Sequence, residues 1–154
     1  MHEADCLFCR IAQKLEPSFV IWEDAAHIAA LTPFPNTPGF TVLFTREHRP
    51  SYIFELSEEE IGALMRAAAE VARLLDRAFG NGRSAVIAEG MGINHAHIKI
   101  IPLHGVSTGP WQPILSNRPI FRTSYEGFVS SEDGPQMQSG ELAQLQQKIL
   151  AAKK

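Results

Sequence analysis

The chain has 154 residues, 45% of them hydrophobic, which suits one domain with a sizeable core and is too short for two. A net charge of −3 and a pI near 6.1, with no basic run before the terminal Lys153 and Lys154, exclude the positive field that a nucleic-acid polymer requires. The start "MHEADCLFCR" is acidic where a secretory leader is basic, and no apolar run is long enough to span a bilayer, so a cytoplasmic protein with no membrane partner is expected.

In chain order, "CLFCRIAQKL" places Leu7, Ile11 and Leu15 at helical spacing and predicts a short helix of about two turns before Pro17. "FVIWED" and "HIAALT" read as strands joined by the turn Asp24-Ala25-Ala26, and "FTVLFT" as a third strand after the breaker-rich "PFPNTPG". Ser57 and Glu60 form the Ser-x-x-Glu pattern that opens a helix by satisfying free backbone N–H groups in its first turn. Ile61, Leu64, Met65, Ala68, Val71, Ala72, Leu75 and Phe79 give that helix one apolar stripe to pack on a sheet, with Arg66, Glu70 and Arg73 outside it, and "GNG" at 80–82 stops it. "SAVIAEG" and "HAHIKIIP" supply two more strands, expected to pair as a hairpin around Gly90 and Gly92. Five strands and one long helix result. Beyond Pro102, residues 103–140 are crowded with Gly, Pro and Ser and read as an arm or flap, and 141–154 as a C-terminal helix ending in lysines.

On a strand, successive side chains alternate faces, so "HAHIKI" sets His95, His97 and Lys99 on one side and Ala96, Ile98 and Ile100 on the other. The apolar set is expected to face the long helix. The polar set must meet solvent, a metal or a ligand, because three such groups buried without partners are too costly.

Two cysteines three positions apart exclude a secreted disulfide scaffold and leave metal binding, redox chemistry or plain burial. Redox Cys-x-x-Cys pairs usually follow a strand, and nothing before Asp5 has room for one. Zinc is the better reading. A tetrahedral site then needs two more ligands from His2, His27, His48, His95, His97 and His104; His48 at the end of one strand and His95 at the start of another are placed to converge on the N-terminal helix. Two buried, inert cysteines remain the alternative.

The chain resembles the histidine triad (HIT) family of nucleotide hydrolases and transferases: "DCLFCRI", "PNTPG" before "FTVLFTREH", "LSEEEI" and "HAHIKIIP" appear in the family's order over about Asp5 to Pro102. The resemblance implies an α+β fold with a five-stranded antiparallel sheet that joins a second copy's sheet in a homodimer. It also implies a purine nucleotide or nucleotide conjugate lying between the N-terminal helix and the first strands. In members with this Cys-x-x-Cys, zinc is held by residues matching Cys6, Cys9, His48 and His95, and the nucleophile matches His97. A neutral imidazole there attacks the α-phosphorus and splits one displacement into two easier ones.

Lys99 stands where the family usually has its third histidine; it can hold a phosphate oxygen as charge moves, but relays protons poorly near neutrality. Thr32 replaces a ribose-binding acid, Ala88 an Asn, and Met91-Gly92 a polar pair. Gly92, Ile93 and Asn94 still offer amides to a phosphate, and Phe8, Ile11, Leu31 and Pro33 match the base pocket. Three functions follow: a nucleotidyl hydrolase or transferase acting through His97, a HIT-fold binding or regulatory module with little turnover, or a hydrolase whose His-x-His pair holds a catalytic zinc with an open water position.

Overall fold

The computed structural model describes residues 3–106, 109–113, 115, 121, 123 and 124. The chain divides into two compact units, Met1–Trp111 and Gln112–Lys154, and all the regular elements described lie in the first. The expected C-terminal helix, and most of the expected arm, lie outside the described residues.

In order, the elements are α1 (Leu7–Ala12), β1 (Phe19–Glu23), β2 (His27–Leu31), β3 (Thr41–Thr45), a 3₁₀ turn at Ile53–Glu55, α2 (Glu58–Phe79), β4 (Ser84–Ile87) and β5 (His97–Pro102). The strands form one antiparallel sheet in the order β1-β2-β3-β5-β4, so β5 sits between β3 and β4. The fold is α+β, as the family resemblance implies.

The first two strands turn where Asp24 accepts hydrogen bonds from the Ala26 and His27 backbone N–H groups at 2.7 and 2.6 Å and faces the His27 ring at 3.1 Å. Burial pushes the Asp24 carboxyl up, but the His27 ring and these two N–H groups outweigh it, and its pKa falls below the usual value. β4 and β5 pair as expected, from Ser84↔Pro102 to Ile87↔Lys99, but the connection runs over residues 88–96 rather than through a tight turn. Gly90 within it, at φ +70°, lies so close to Ser51 that an added Cβ would meet the carbonyl oxygen at 2.9 Å.

Each face of the sheet is covered by one helix. On one side Ala29, Leu43, Ala96, Ile98 and Ile100 pack against Leu64, Ala67, Ala68, Val71 and Leu75 of α2. The apolar half of the "HAHIKI" alternation therefore faces the long helix. α2 starts with a complete capping box: Ser57 accepts from the Glu60 N–H at 3.2 Å, and Glu60 accepts from the Ser57 N–H at 3.0 Å. Gly80 in the left-handed conformation ends it. Two members of its anticipated stripe, Met65 and Phe79, are exposed. Phe79 instead leans over the Pro38-Gly39 turn, where Gly39 at φ +81° leaves room for its ring, and touches the His104 ring edge-on at 5.1 Å.

On the other side, Cys6, Phe8 and Cys9 pack against Ile28, Ala30 and Phe44. The buried face of α1 is thus the Cys6/Phe8/Cys9 face; Leu7 and Leu15, two of the residues read at helical spacing, are exposed. Ile11 and Ala12, in the second turn of α1, are partly buried and pack against the same cluster. Among the described residues, no helix is long and apolar enough to cross a membrane.

Candidate functional site

Four donors converge beneath α1. Cys6 and Cys9 lie at its start, His48 follows β3 by three residues, and His95 precedes β5 by two, and one ligand atom from each falls within 4.8 Å of all the others. Cys6 Sγ lies 3.2 Å from His95 Nδ1, and Cys9 Sγ lies 3.6 Å from His48 Nδ1 and 3.7 Å from His95 Nδ1. A tetrahedral ion with bonds of about 2.0–2.3 Å separates its ligands by roughly 3.3–3.8 Å, so the group fits one.

The outward nitrogens agree with that use. His95 Nε2 lies 2.7 Å from the Thr45 carbonyl, which can only accept, so Nε2 carries the proton and Nδ1 offers its lone pair to the cluster. Thr45 Oγ1, also 3.1 Å from Nε2, gives its own proton to the Glu47 carbonyl and accepts there too. His48 Nε2 faces Glu3 at 3.4 Å, leaving Nδ1 toward Cys9. Burial pushes the Cys9 thiol above its ordinary pKa. A divalent ion would offset that cost by compensating the thiolate charge. The set is closed: four protein ligands leave no position for water.

His97 shares the sheet face of His95 but stands outside this group. Its Nδ1–H donates to the His95 carbonyl at 2.7 Å, which fixes the opposite tautomer and leaves Nε2 with a lone pair. The ring is only 4% exposed, with Phe44 across the strand pair and Phe8 tilted against it at 5.4 Å between centroids.

Phe8 and Phe44, which flank His97, also line a largely apolar cavity of about 340 Å³ between α1 and the first three strands; His97 itself is not among its lining residues. Phe8, Ile11, Leu31, Pro33 and Ile93 all line it, and its floor is Val42 and Phe44. Phe8 stacks on Phe44 at 4.4 Å and 11°, so the wall nearest His97 is a rigid aromatic pair. A second cavity of about 400 Å³ shares Leu7 and Ile93 with the first and is bordered by Gly92 and Asn94. Gly92, at φ +88°, has open space where a side chain would be, while the Asn94 side-chain oxygen accepts from the Ser51 N–H at 3.4 Å.

Lys99 lies opposite Val42 on the same face and is paired with Glu89. Glu89 escapes a reading of the sequence by motif. Its signal is register: Ile87 faces Lys99 across the β4–β5 pair, and Glu89 follows Ile87 by one period of a strand. Glu3 belongs to none of the motifs, and Thr45, though inside "FTVLFTREH", has no role there that a motif reveals; their contacts with the two histidines appear only in the structure.

The fold and site define a class: a small α+β protein with two cysteines and two histidines close enough to hold a metal ion, and a separate, tautomer-fixed histidine flanked by the aromatic pair that lines an apolar cavity. The HIT domain model matches residues 13–106, and the chain belongs to that family. An uncharacterised HIT-like protein of Borreliella burgdorferi is 30% identical over 104 residues, 64% of this chain and 75% of that one. Protein hit of Bacillus subtilis is 29% identical over 119 residues, 71% and 79% of the two chains. Among solved structures, a HIT family protein from Bacillus anthracis superposes with a TM-score of 0.69 at 19% identity, covering 98% of this chain and 99% of that one. A HIT family hydrolase from Clostridium thermocellum gives 0.56 at 24%, covering 71% and 97%.

Proposed function

We propose that the protein is a nucleotidyl hydrolase or transferase that cleaves at the α-phosphate of a purine nucleotide, a phosphoramidate or dinucleoside polyphosphate, through His97. The observation that carries this is the His97 Nδ1–H to His95 carbonyl bond at 2.7 Å, which leaves Nε2 with a lone pair on a ring flanked by Phe8 and Phe44, two residues that also line the apolar cavity. Nε2 forms a bond to the α-phosphorus as the bond to the amine or phosphate breaks. The leaving group departs with the bonding pair and takes a proton from water. The positive charge gained by the ring is shared with the His95 carbonyl. Water then attacks phosphorus, the P–N pair returns to Nε2, and the water's proton passes to solvent.

Phe8, Ile11, Leu31 and Pro33 sandwich the base, Gly92, Ile93 and Asn94 offer amides to phosphate oxygens, and Lys99 donates a hydrogen bond that holds a phosphate oxygen as negative charge moves. Cys6, Cys9, His48 and His95 hold a structural zinc, which ties α1 to the ends of β3 and β5 and so holds Phe8 against His97. A homodimer forms by pairing along the sheet, whose β4 edge is free of any strand partner among the described residues. Light scattering at micromolar concentration tests that assembly.

The test of the activity is release of AMP from adenosine phosphoramidate and from diadenosine polyphosphates, followed by chromatography. Turnover that disappears in His97→Ala supports the reading; turnover that survives refutes it. A binding or regulatory module without turnover is the second reading, favoured by the Glu89 partner of Lys99, which occupies the cation nearest the reacting nitrogen on its strand. Affinity for AMP with no cleavage of either substrate would select it.

A further inference from the structure

We infer that Glu89 sets the charge selectivity of the His97 site: by neutralising Lys99, it makes the site favour an α-phosphate with one negative charge over one with two. The inference rests on the nucleotide reading of the His97 face. Lys99 is one strand period from His97, at about 6–7 Å along the chain, on the face carrying Val42 and Phe44. Glu89 reaches it from beyond the end of β4. The Glu89 side chain is 10% exposed and that of Lys99 32%, so the pair is largely withdrawn from water and screened little by salt.

Among the described residues, Lys99 is the cation paired with Glu89. The two cavities near the Phe8–Phe44 pair are lined by no Lys or Arg, and apart from Cys6 their ionisable residues are Glu3, Asp5 and Glu16. Glu16 is matched by Arg10 at 2.7 Å. A divalent ion between two thiolates and two neutral imidazoles adds no net charge either. A phosphate arriving at Nε2 therefore meets a neutral ion pair, not a free ammonium. Lys99 can still donate a hydrogen bond, but each additional negative charge on the ligand is repelled by the Glu89 carboxylate about as much as it is attracted by Lys99. Binding a dianion also requires taking a second charge out of water without a counter-charge, which a monoanion avoids.

The experiment uses two ligands alike in base, sugar and phosphorus: AMP, mostly a dianion at pH 7.5, and its 5′-phosphate methyl ester, a monoanion with a poor leaving group. Calorimetry gives both affinities for the full chain and for Glu89→Gln, with Glu89→Asp as the charge-retaining control. The wild-type protein is expected to bind the ester at least as tightly as AMP. Glu89→Gln should shift the ratio toward AMP by about fivefold or more, with Glu89→Asp staying close to wild type. If Glu89→Gln does not fold, the doubly neutral Glu89→Gln/Lys99→Met variant decides. It should keep the wild-type ratio, and a selective loss of AMP would show that the Lys99 charge is not cancelled and overturn the inference. If both ligands bind and the ratio does not move in Glu89→Gln, the inference fails alone. If neither binds the wild-type protein, the nucleotide reading fails and takes the inference with it.

Discussion

His95 and His97, two positions apart on one sheet face, are held in opposite tautomers: His95 gives its Nε2–H to the Thr45 carbonyl, and His97 gives its Nδ1–H to the carbonyl of His95 itself. The first therefore turns its lone pair to the cysteines, and the second is left with a free Nε2. One backbone carbonyl links them, so any movement of the Cys6/Cys9/His48/His95 group moves the acceptor that orients His97.

That linkage makes metal loss a structural event first. On the proposed zinc reading, the wild-type chain carries one zinc, and Cys9→Ser and His48→Ala should each lower that to well below stoichiometry and reduce the melting temperature by several degrees. A chelator added to the intact protein should act slowly, at the rate of unfolding, because four protein ligands close the site. Metal analysis with a thermal melt checks this; immediate loss of activity on chelation would point to a metal that touches substrate.

The N-terminus of α2 supplies a pH dependence. The Arg49 guanidinium, 2.7 Å away, and then the Ser57 backbone N–H and hydroxyl, lower the Glu60 carboxyl from 4.5 to about 2. Because the folded value is the lower one, the stability it contributes is complete above about pH 4.5 and disappears as pH falls through about 2. The side chain is 38% exposed, and solvent screening limits the pair to no more than about 1 kcal/mol. Denaturant unfolding should show Glu60→Gln less stable than wild type at pH 7, with the gap closing toward pH 2. A gap that stays constant with pH would contradict the assignment.

Gly39 cannot carry a side chain cheaply. Its φ is +81°, and an added Cβ would lie 2.3 Å from Phe79 Cε2. Gly39→Ala should cost about 1–3 kcal/mol, part from the backbone and part from the clash. The double variant Gly39→Ala/Phe79→Ala should be more stable to urea than expected from adding the single losses.

Much of the fold was legible because its signals are local. The Ser57/Glu60 box, the Gly80 stop and the Ala96/Ile98/Ile100 alternation each depend on residues within a few positions of one another, and each stands as read. Long-range geometry was less legible. Leu7, Leu15, Met65 and Phe79 are exposed: Leu15 lies beyond the end of α1, and Met65 sits beside buried Leu64 at the edge of the α2 stripe, details that apolar spacing alone does not encode. The convergence of Cys6, Cys9, His48 and His95 was legible only by family resemblance and donor chemistry. Glu89 was not legible at all, since it becomes a partner of Lys99 only through the pairing register of β4 and β5.

The central claim is that His97 attacks phosphorus, and the most direct measurement is mass spectrometry of the intact protein, quenched in acid-free conditions during turnover of adenosine phosphoramidate, with peptide mapping of any adduct. The expected result is a covalent adenylyl group on the peptide carrying His97, absent in His97→Ala, with His95 unmodified. Turnover without any adduct, or an adduct on another residue, would contradict it.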